Sequence, residues 1–244
     1  MVVSKQITPL LLLLLVSSLL GAEPPRRILF IGNSYTGGIH STLNSFVNAS
    51  PHRDAQLEFI TPGGKDLLFH ADQKETIERI RDGKWDIVVL QDQSQTPAVM
   101  PARFLDGARR LHEIVAKSGA RTAYFETWGR RDGDKRNIRL MPTFEKMQDA
   151  LTASYTKAAE RDKAILVPVG KAWRRVREQH PALGKELYRK DGSHPSVKGA
   201  YLATLCFYIC VFDADPSKIE YTGGLSADVV RKLRAAATDA LKHQ

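Results

Sequence analysis

Five short strand-like runs, some wholly apolar and one (Gln56 to Ile60) alternating polar and apolar, constrain this chain more than any other feature, because each is followed by a turn or a helix-like stretch. The first, Ile28-Leu29-Phe30-Ile31, runs into Gly32-Asn33-Ser34 and, past Gly37-Gly38, into a helical pattern over Ile39 to Ala49. Gln56 to Ile60 leads into Thr61-Pro62-Gly63-Gly64, then a helical stretch from Leu67 to Arg81. Trp85 to Leu90 stops abruptly at Gln91-Asp92-Gln93-Ser94, before an amphipathic helix over Arg103 to Ser118. Arg121 to Phe125 opens into Glu126-Thr127-Trp128-Gly129, before a helix over Phe144 to Arg161. Ala164 to Val169 precedes a helix over Ala172 to Gln179, and Pro195 to Phe212 and Ala227 to Lys242 complete the helices. Five strands that each hand over to a helix require a parallel sheet covered on both faces. Ligands of such sheets bind beyond the carboxyl ends of the strands. The polar stretches Asn33-Ser34, Gly63-Gly64, Gln91-Asp92-Gln93 and Thr127-Trp128 all follow strands, so they gather at one rim.

The N-terminus reads as a secretory signal peptide over residues 1–22. Lys5 supplies the positive end, Leu10 to Val16 the apolar core, and Leu20-Gly21-Ala22 the small residues of a cleavage point. The apolar run is short for a membrane span, which needs about 20 residues; an uncleaved anchor is the alternative. Residues 23–244 then form one domain, secreted or periplasmic and without stable membrane insertion.

The formal net charge of +9 invites a polyanionic partner, but the cations are scattered in pairs among acids, as at Arg109-Arg110 and Arg174-Arg175. With no basic arm and no interleaved aromatics, nucleic-acid binding is not expected. Cys206 and Cys210, four apart on one helix, project along parallel directions and suit a disulfide poorly, so both are expected free. No His/Cys/carboxylate cluster has metal-ligand spacing, which also sets Asp92 aside as a metal ligand; no cofactor is required.

A serine on a strand-to-helix turn is held out of the sheet with backbone N–H groups around it, which suits a nucleophile or a phosphate-binding loop. The phosphate reading fails because Gly32 to Gly38 lacks the Gly-Lys-Ser/Thr ending. A serine hydroxyl needs a base, and a histidine base needs an orienting group. Of the seven histidines, His40, His52, His70, His112, His180 and His243 sit in ordinary surface or core positions. His194 differs: in Asp191-Gly192-Ser193-His194-Pro195, Asp191 lies one turn away and Pro195 fixes the exit into a helix.

Gly32-Asn33-Ser34 after the first strand, with Asp191-x-x-His194-Pro195 near the end, resembles the SGNH (GDSL-like) hydrolase superfamily, in its bacterial secreted branch. The resemblance runs from Ile28 to Phe212. It implies a flavodoxin-like α/β/α three-layer sandwich with a five-stranded parallel sheet in the order 2-1-3-4-5. It makes Ser34 the nucleophile, His194 the base and then acid, and Asp191 the group that orients His194. It implies an oxyanion hole from the Ser34 N–H, a glycine after the second strand (Gly64, with Gly63 its rival) and a side-chain amide after the third. Gln93 stands where that family carries asparagine. Trp128 is expected either to wall the substrate site or to pack for stability, and Arg130 and Arg131 to be solvated loop charges or contacts to an acidic substrate.

The expected activity is hydrolysis of small acyl esters, O-acetyl above all, on a carbohydrate. The alternatives are a lipase or thioesterase, an acyltransferase with the same three residues, and a non-catalytic carbohydrate-binding relative.

Overall fold

The computed structural model describes residues 24–242; the signal segment and His243 lie outside the described residues. Strands β1 (Arg27–Ile31), β2 (Gln56–Ile60), β3 (Ile87–Leu90), β4 (Arg121–Phe125) and β5 (Ile165–Val167) form one all-parallel sheet in the order β2-β1-β3-β4-β5. This is the expected order. Helices follow in chain order: α1 (Ser34–Gly37), α2 (His40–Asn48), α3 (Leu67–Asp72), α4 (Lys74–Asp82), α5 (Thr96–Val99) and α6 (Pro101–Lys117). After β4 come α7 (Phe144–Asp162), α8 (Val169–Gln179), α9 (Pro181–Glu186), α10 (Val197–Phe212) and α11 (Ala227–Leu241).

Strand β3 throughout and β1 from Ile28 to Ile31 are apolar at every position because each faces two cores. Ile28, Phe30, Ile87 and Val89 point into one, beside α2, α8, α10 and α11. Leu29, Ile31, Val88 and Leu90 point into the other, beside α3, α4, α6 and α7. Helix α10 is buried on nearly every side from Gly199 to Tyr208, under α2, α8 and α11, so its sequence is apolar all round rather than striped. Cys206 and Cys210 are both free, as expected, and burial pushes the Cys210 thiol up to about 12. Among the described residues no helix is long and apolar enough to cross a membrane.

Tertiary contacts move several boundaries. The stretch Leu67 to Arg81 is two helices, broken at an extended Gln73 (ψ 116°). Helix α3 is bound to α6, where Gly107 lies so close that a Cβ there would meet the Leu68 nitrogen at 2.6 Å, and where Arg110 reaches Asp72 at 2.6 Å. Helix α4 instead turns Ile80 toward the sheet, and no residue propensity within the stretch announces that change of direction. Strand β5 ends at Val167 because Pro168 has no N–H for the ladder, and α8 begins at Val169. A helix begins at Ser34 itself, ahead of the one expected from Ile39.

Candidate active site

The turn after β1 is built around Gln91, the first residue past β3. Its side-chain oxygen accepts from the Asn33 N–H at 3.0 Å and from the Thr36 hydroxyl at 2.8 Å, and the residue is fully buried. Gly32 is obligatory here, since a Cβ would sit 2.5 Å from that same oxygen. Asn33 caps α1 by accepting from the Tyr35 N–H at 3.1 Å. From below, His70 donates through Nε2 to the Gly32 carbonyl at 2.8 Å. Burial pushes the His70 pKa down, which keeps that ring neutral. The Ser34 N–H, at the start of α1, is among the amides that a helix start leaves without an intrahelical partner.

The turn before α10 supplies the rest. Asp191 Oδ1 accepts from the backbone N–H groups of Ser193 (2.8 Å) and His194 (3.0 Å), which winds the loop around the carboxylate. Gly192 permits this at φ +66°, and its carbonyl accepts from the Arg131 N–H at 2.8 Å. The His194 Nδ1–H donates to Asp191 Oδ2 at 2.6 Å, and Nε2 faces the Ser34 oxygen at 2.9 Å. With its proton on Nδ1, the imidazole presents a lone pair at Nε2 to the serine O–H. Partial burial tends to raise the Asp191 pKa, but the two backbone N–H groups and His194 outweigh it and leave the carboxyl below its ordinary value, so it stays ionised. Gly38 lets the two turns meet, because Pro195 packs where its Cβ would be, 2.9 Å away. Ser34 thus stands in one hydrogen-bonded row with His194 and Asp191, which lie more than 150 residues further along the chain.

The other expected residues fall around this row with different outcomes. Gly64 is exposed in the turn after β2 at φ +71°, and that turn is tied to the serine loop by the Asn33 side chain, which donates to the Lys65 carbonyl at 2.8 Å. The Gln93 side-chain oxygen accepts from the N–H groups of Gln95 (2.7 Å) and Thr96 (3.3 Å), capping the turn into α5. That commitment fixes the amide orientation and leaves the NH2 with a single long contact, 3.4 Å to Gln95 Oε1. Asp92 is fully buried, accepts from the N–H groups of Leu67 (3.2 Å) and Gln93 (2.5 Å), and is pushed up to about 7, chiefly by burial. It braces α3 against the Gln93 turn. Among the described residues no cluster that could hold a metal ion occurs.

Trp128 is corrected by its surroundings. The side chain is fully buried, with one face stacked on Tyr35 (4.9 Å between centroids, 6°) and the other on Trp173 (4.0 Å, 8°). It therefore offers no face to a sugar and serves as packing. Arg130 departs from the solvated charge expected of it. Its guanidinium donates to the buried Asp134 at 2.9 Å and to the Ser94 hydroxyl at 3.2 Å, and Asp134 also takes both contacts from the Gln95 amide. Arg131 pairs with Asp132 at the surface. Gln91 and His70 had no role in the sequence reading. The abrupt change from Val-Val-Leu to Gln was the available signal for Gln91, whereas nothing local marks His70.

Solved structures give the fold its context. A DUF4886 family protein from Bacteroides uniformis is similar over 89% of this chain and 95% of its own, with a TM-score of 0.73 at 17% identity. A protein from Slackia heliotrinireducens, assigned to the SGNH hydrolases, is similar over 75% of this chain and 97% of its own, with a TM-score of 0.65 at 28% identity. An acetyl xylan esterase, AlAXEase, has a TM-score of 0.58 at 13% identity, over 76% of this chain and 99% of its own. No protein-family model and no curated protein matches the chain.

Proposed function

We propose that the chain, which is similar in fold to an SGNH hydrolase at 28% identity, is an exported serine esterase of that superfamily that removes small acyl groups, O-acetyl above all, from a carbohydrate. The observation that carries the reading is the row Ser34 Oγ–His194 Nε2 at 2.9 Å and His194 Nδ1–Asp191 Oδ2 at 2.6 Å. In that geometry the serine proton passes to Nε2 as Oγ attacks the ester carbonyl. Asp191 holds the imidazole in the Nδ1–H form and offsets the charge of the imidazolium. The oxyanion takes hydrogen bonds from the Ser34 N–H, the Gly64 N–H and the loosely engaged NH2 of Gln93. His194 then gives its proton to the departing alcohol, leaving an acyl group on Ser34, and water repeats the sequence to release the acid.

The substrate class follows from softer grounds. Partly exposed polar residues of this rim, Gln93 and Arg130 among them, favour a hydrated alcohol part and a short acyl chain. One protein of similar fold acts on acetyl xylan. Export rests on the Lys5, Leu10–Val16 and Leu20-Gly21-Ala22 pattern.

Wild type and Ser34→Ala compared on aryl acetate, butyrate and octanoate esters test the reading. Activity in the wild type, near-complete loss in the variant and a steep fall with chain length support it. Equal rates in both proteins overturn Ser34 as nucleophile, and turnover only with an added sugar acceptor replaces hydrolysis by transfer.

A further inference from the structure

Four loops of the rim meet at one hydroxyl, that of Tyr35. Tyr35 directly follows Ser34 in α1, so its side chain is carried on the same turn of backbone as the nucleophile. Its ring is 2% exposed and lies flat on Trp128. Its oxygen is 2.6 Å from the Ser193 hydroxyl and also faces the side chains of Ser94 and Arg130. Those partners come from the turns after β3 and β4 and from the histidine loop.

Ser193 is held at three points. Its hydroxyl meets Tyr35, its carbonyl accepts from Trp128 Nε1 at 2.9 Å, and its N–H donates to Asp191 at 2.8 Å. The next residue is His194, whose ring stands edge-on to the Tyr35 ring with 5.4 Å between centroids. Ser34 and His194 are 160 residues apart, on loops that no strand pairing joins, yet their reacting atoms must stay within hydrogen-bond reach. A link from the residue after the serine to the residue before the histidine constrains that distance more directly than any packing further out. The ring and the hydroxyl of Tyr35 also have separable parts in it: the ring stacks on Trp128, and the hydroxyl grips Ser193.

We propose that Tyr35 is a positioning residue whose hydroxyl, by holding Ser193, sets His194 Nε2 against Ser34 Oγ. The proposal rests on the reading of Ser34 as nucleophile and His194 as its base.

The test compares wild type, Ser34→Ala, Tyr35→Phe, Ser193→Ala and the Tyr35→Phe/Ser193→Ala double variant in the full chain. Rates on aryl acetate are expressed per site titrated with a fluorophosphonate. Phe keeps the ring stack and removes only the hydroxyl. The expected result is a kcat lowered about 10- to 100-fold in Tyr35→Phe, with KM little changed. Ser193→Ala should fall by a similar factor, and the double variant should be no worse than either single one, because both remove the same link. Wild-type kcat in Tyr35→Phe, or losses that multiply in the double variant, overturn the proposal. A second readout does not depend on turnover. In histidine-labelled protein, the low-field Nδ1 proton and the Nε2 shift of His194 should change in Tyr35→Phe, and unchanged resonances overturn the proposal. If wild type and Ser34→Ala are equally inactive on every ester, the functional reading falls, and the resonance comparison alone decides the role of Tyr35.

Discussion

Replacing Glu126 by Gln should make the protein's stability less sensitive to rising pH, by an amount that the surroundings of this carboxyl set. Glu126 follows β4 and is fully buried. One oxygen accepts from the Thr152 hydroxyl at 2.6 Å and the Gln148 amide at 3.0 Å, while Oε2 has no partner among the described residues. Burial drives its pKa up from 4.5 to about 7, against smaller opposing effects of Thr152, Lys171, Gln148 and Arg174. Below pH 4.5 the group is neutral in the folded and the unfolded chain and costs nothing that varies with pH. As pH rises toward 7, the unfolded chain sheds this proton and the folded chain keeps it, so folding loses about 1.4 kcal/mol per pH unit. Above about 7 the loss levels off at about 3 kcal/mol. Gln, always neutral, escapes the loss while keeping an acceptor for Thr152. Urea unfolding of both proteins, followed by the fluorescence of the buried tryptophans, should show the variant gaining about 2–3 kcal/mol relative to wild type between pH 5 and pH 8. Asp92, perturbed in the same direction, is common to both proteins and cancels in the difference. A difference that stays flat, or that moves against the variant as pH rises, refutes the reasoning.

Two further predictions concern the oxyanion donor and the packing behind it. Gln93→Ala should lower kcat about 100- to 1,000-fold with little change in KM, since it removes a donor used by the developing oxyanion; steady-state kinetics on an aryl acetate checks this. Gly107→Ala drives a Cβ to 2.6 Å from the Leu68 nitrogen, between two backbones that cannot both give way, and should cost about 1–3 kcal/mol in urea unfolding.

What the sequence made legible divides along a physical line. The strands were readable because a buried parallel strand must be apolar on both faces; β4 was delimited to the residue, Arg121–Phe125. The residues of the row were readable because Gly32-Asn33-Ser34 and Asp191 to Pro195 are short local signatures. Their meeting was legible only through the family resemblance, and the contacts that produce it were not, since Gly38 yielding space to Pro195 and Gln91 holding the serine turn carry no local signature. The break at Gln73 was invisible for the same reason: the contacts of α3 with α6 are set by residues some 40 positions away. Trp128 shows the limit most plainly. A loop tryptophan after a strand reads equally as a ligand wall or as packing, and only Tyr35 on one face and Trp173 on the other decide between them.

The central claim is that Ser34 is the acyl-accepting nucleophile, activated by His194. The most direct measurement is mass-spectrometric mapping of the residue labelled by a fluorophosphonate, in wild type and in His194→Ala. The account predicts a single adduct on Ser34 in the wild type, formed at least about 1,000-fold more slowly when His194 is removed. An adduct on another serine, or labelling of Ser34 at an unchanged rate without His194, would contradict it.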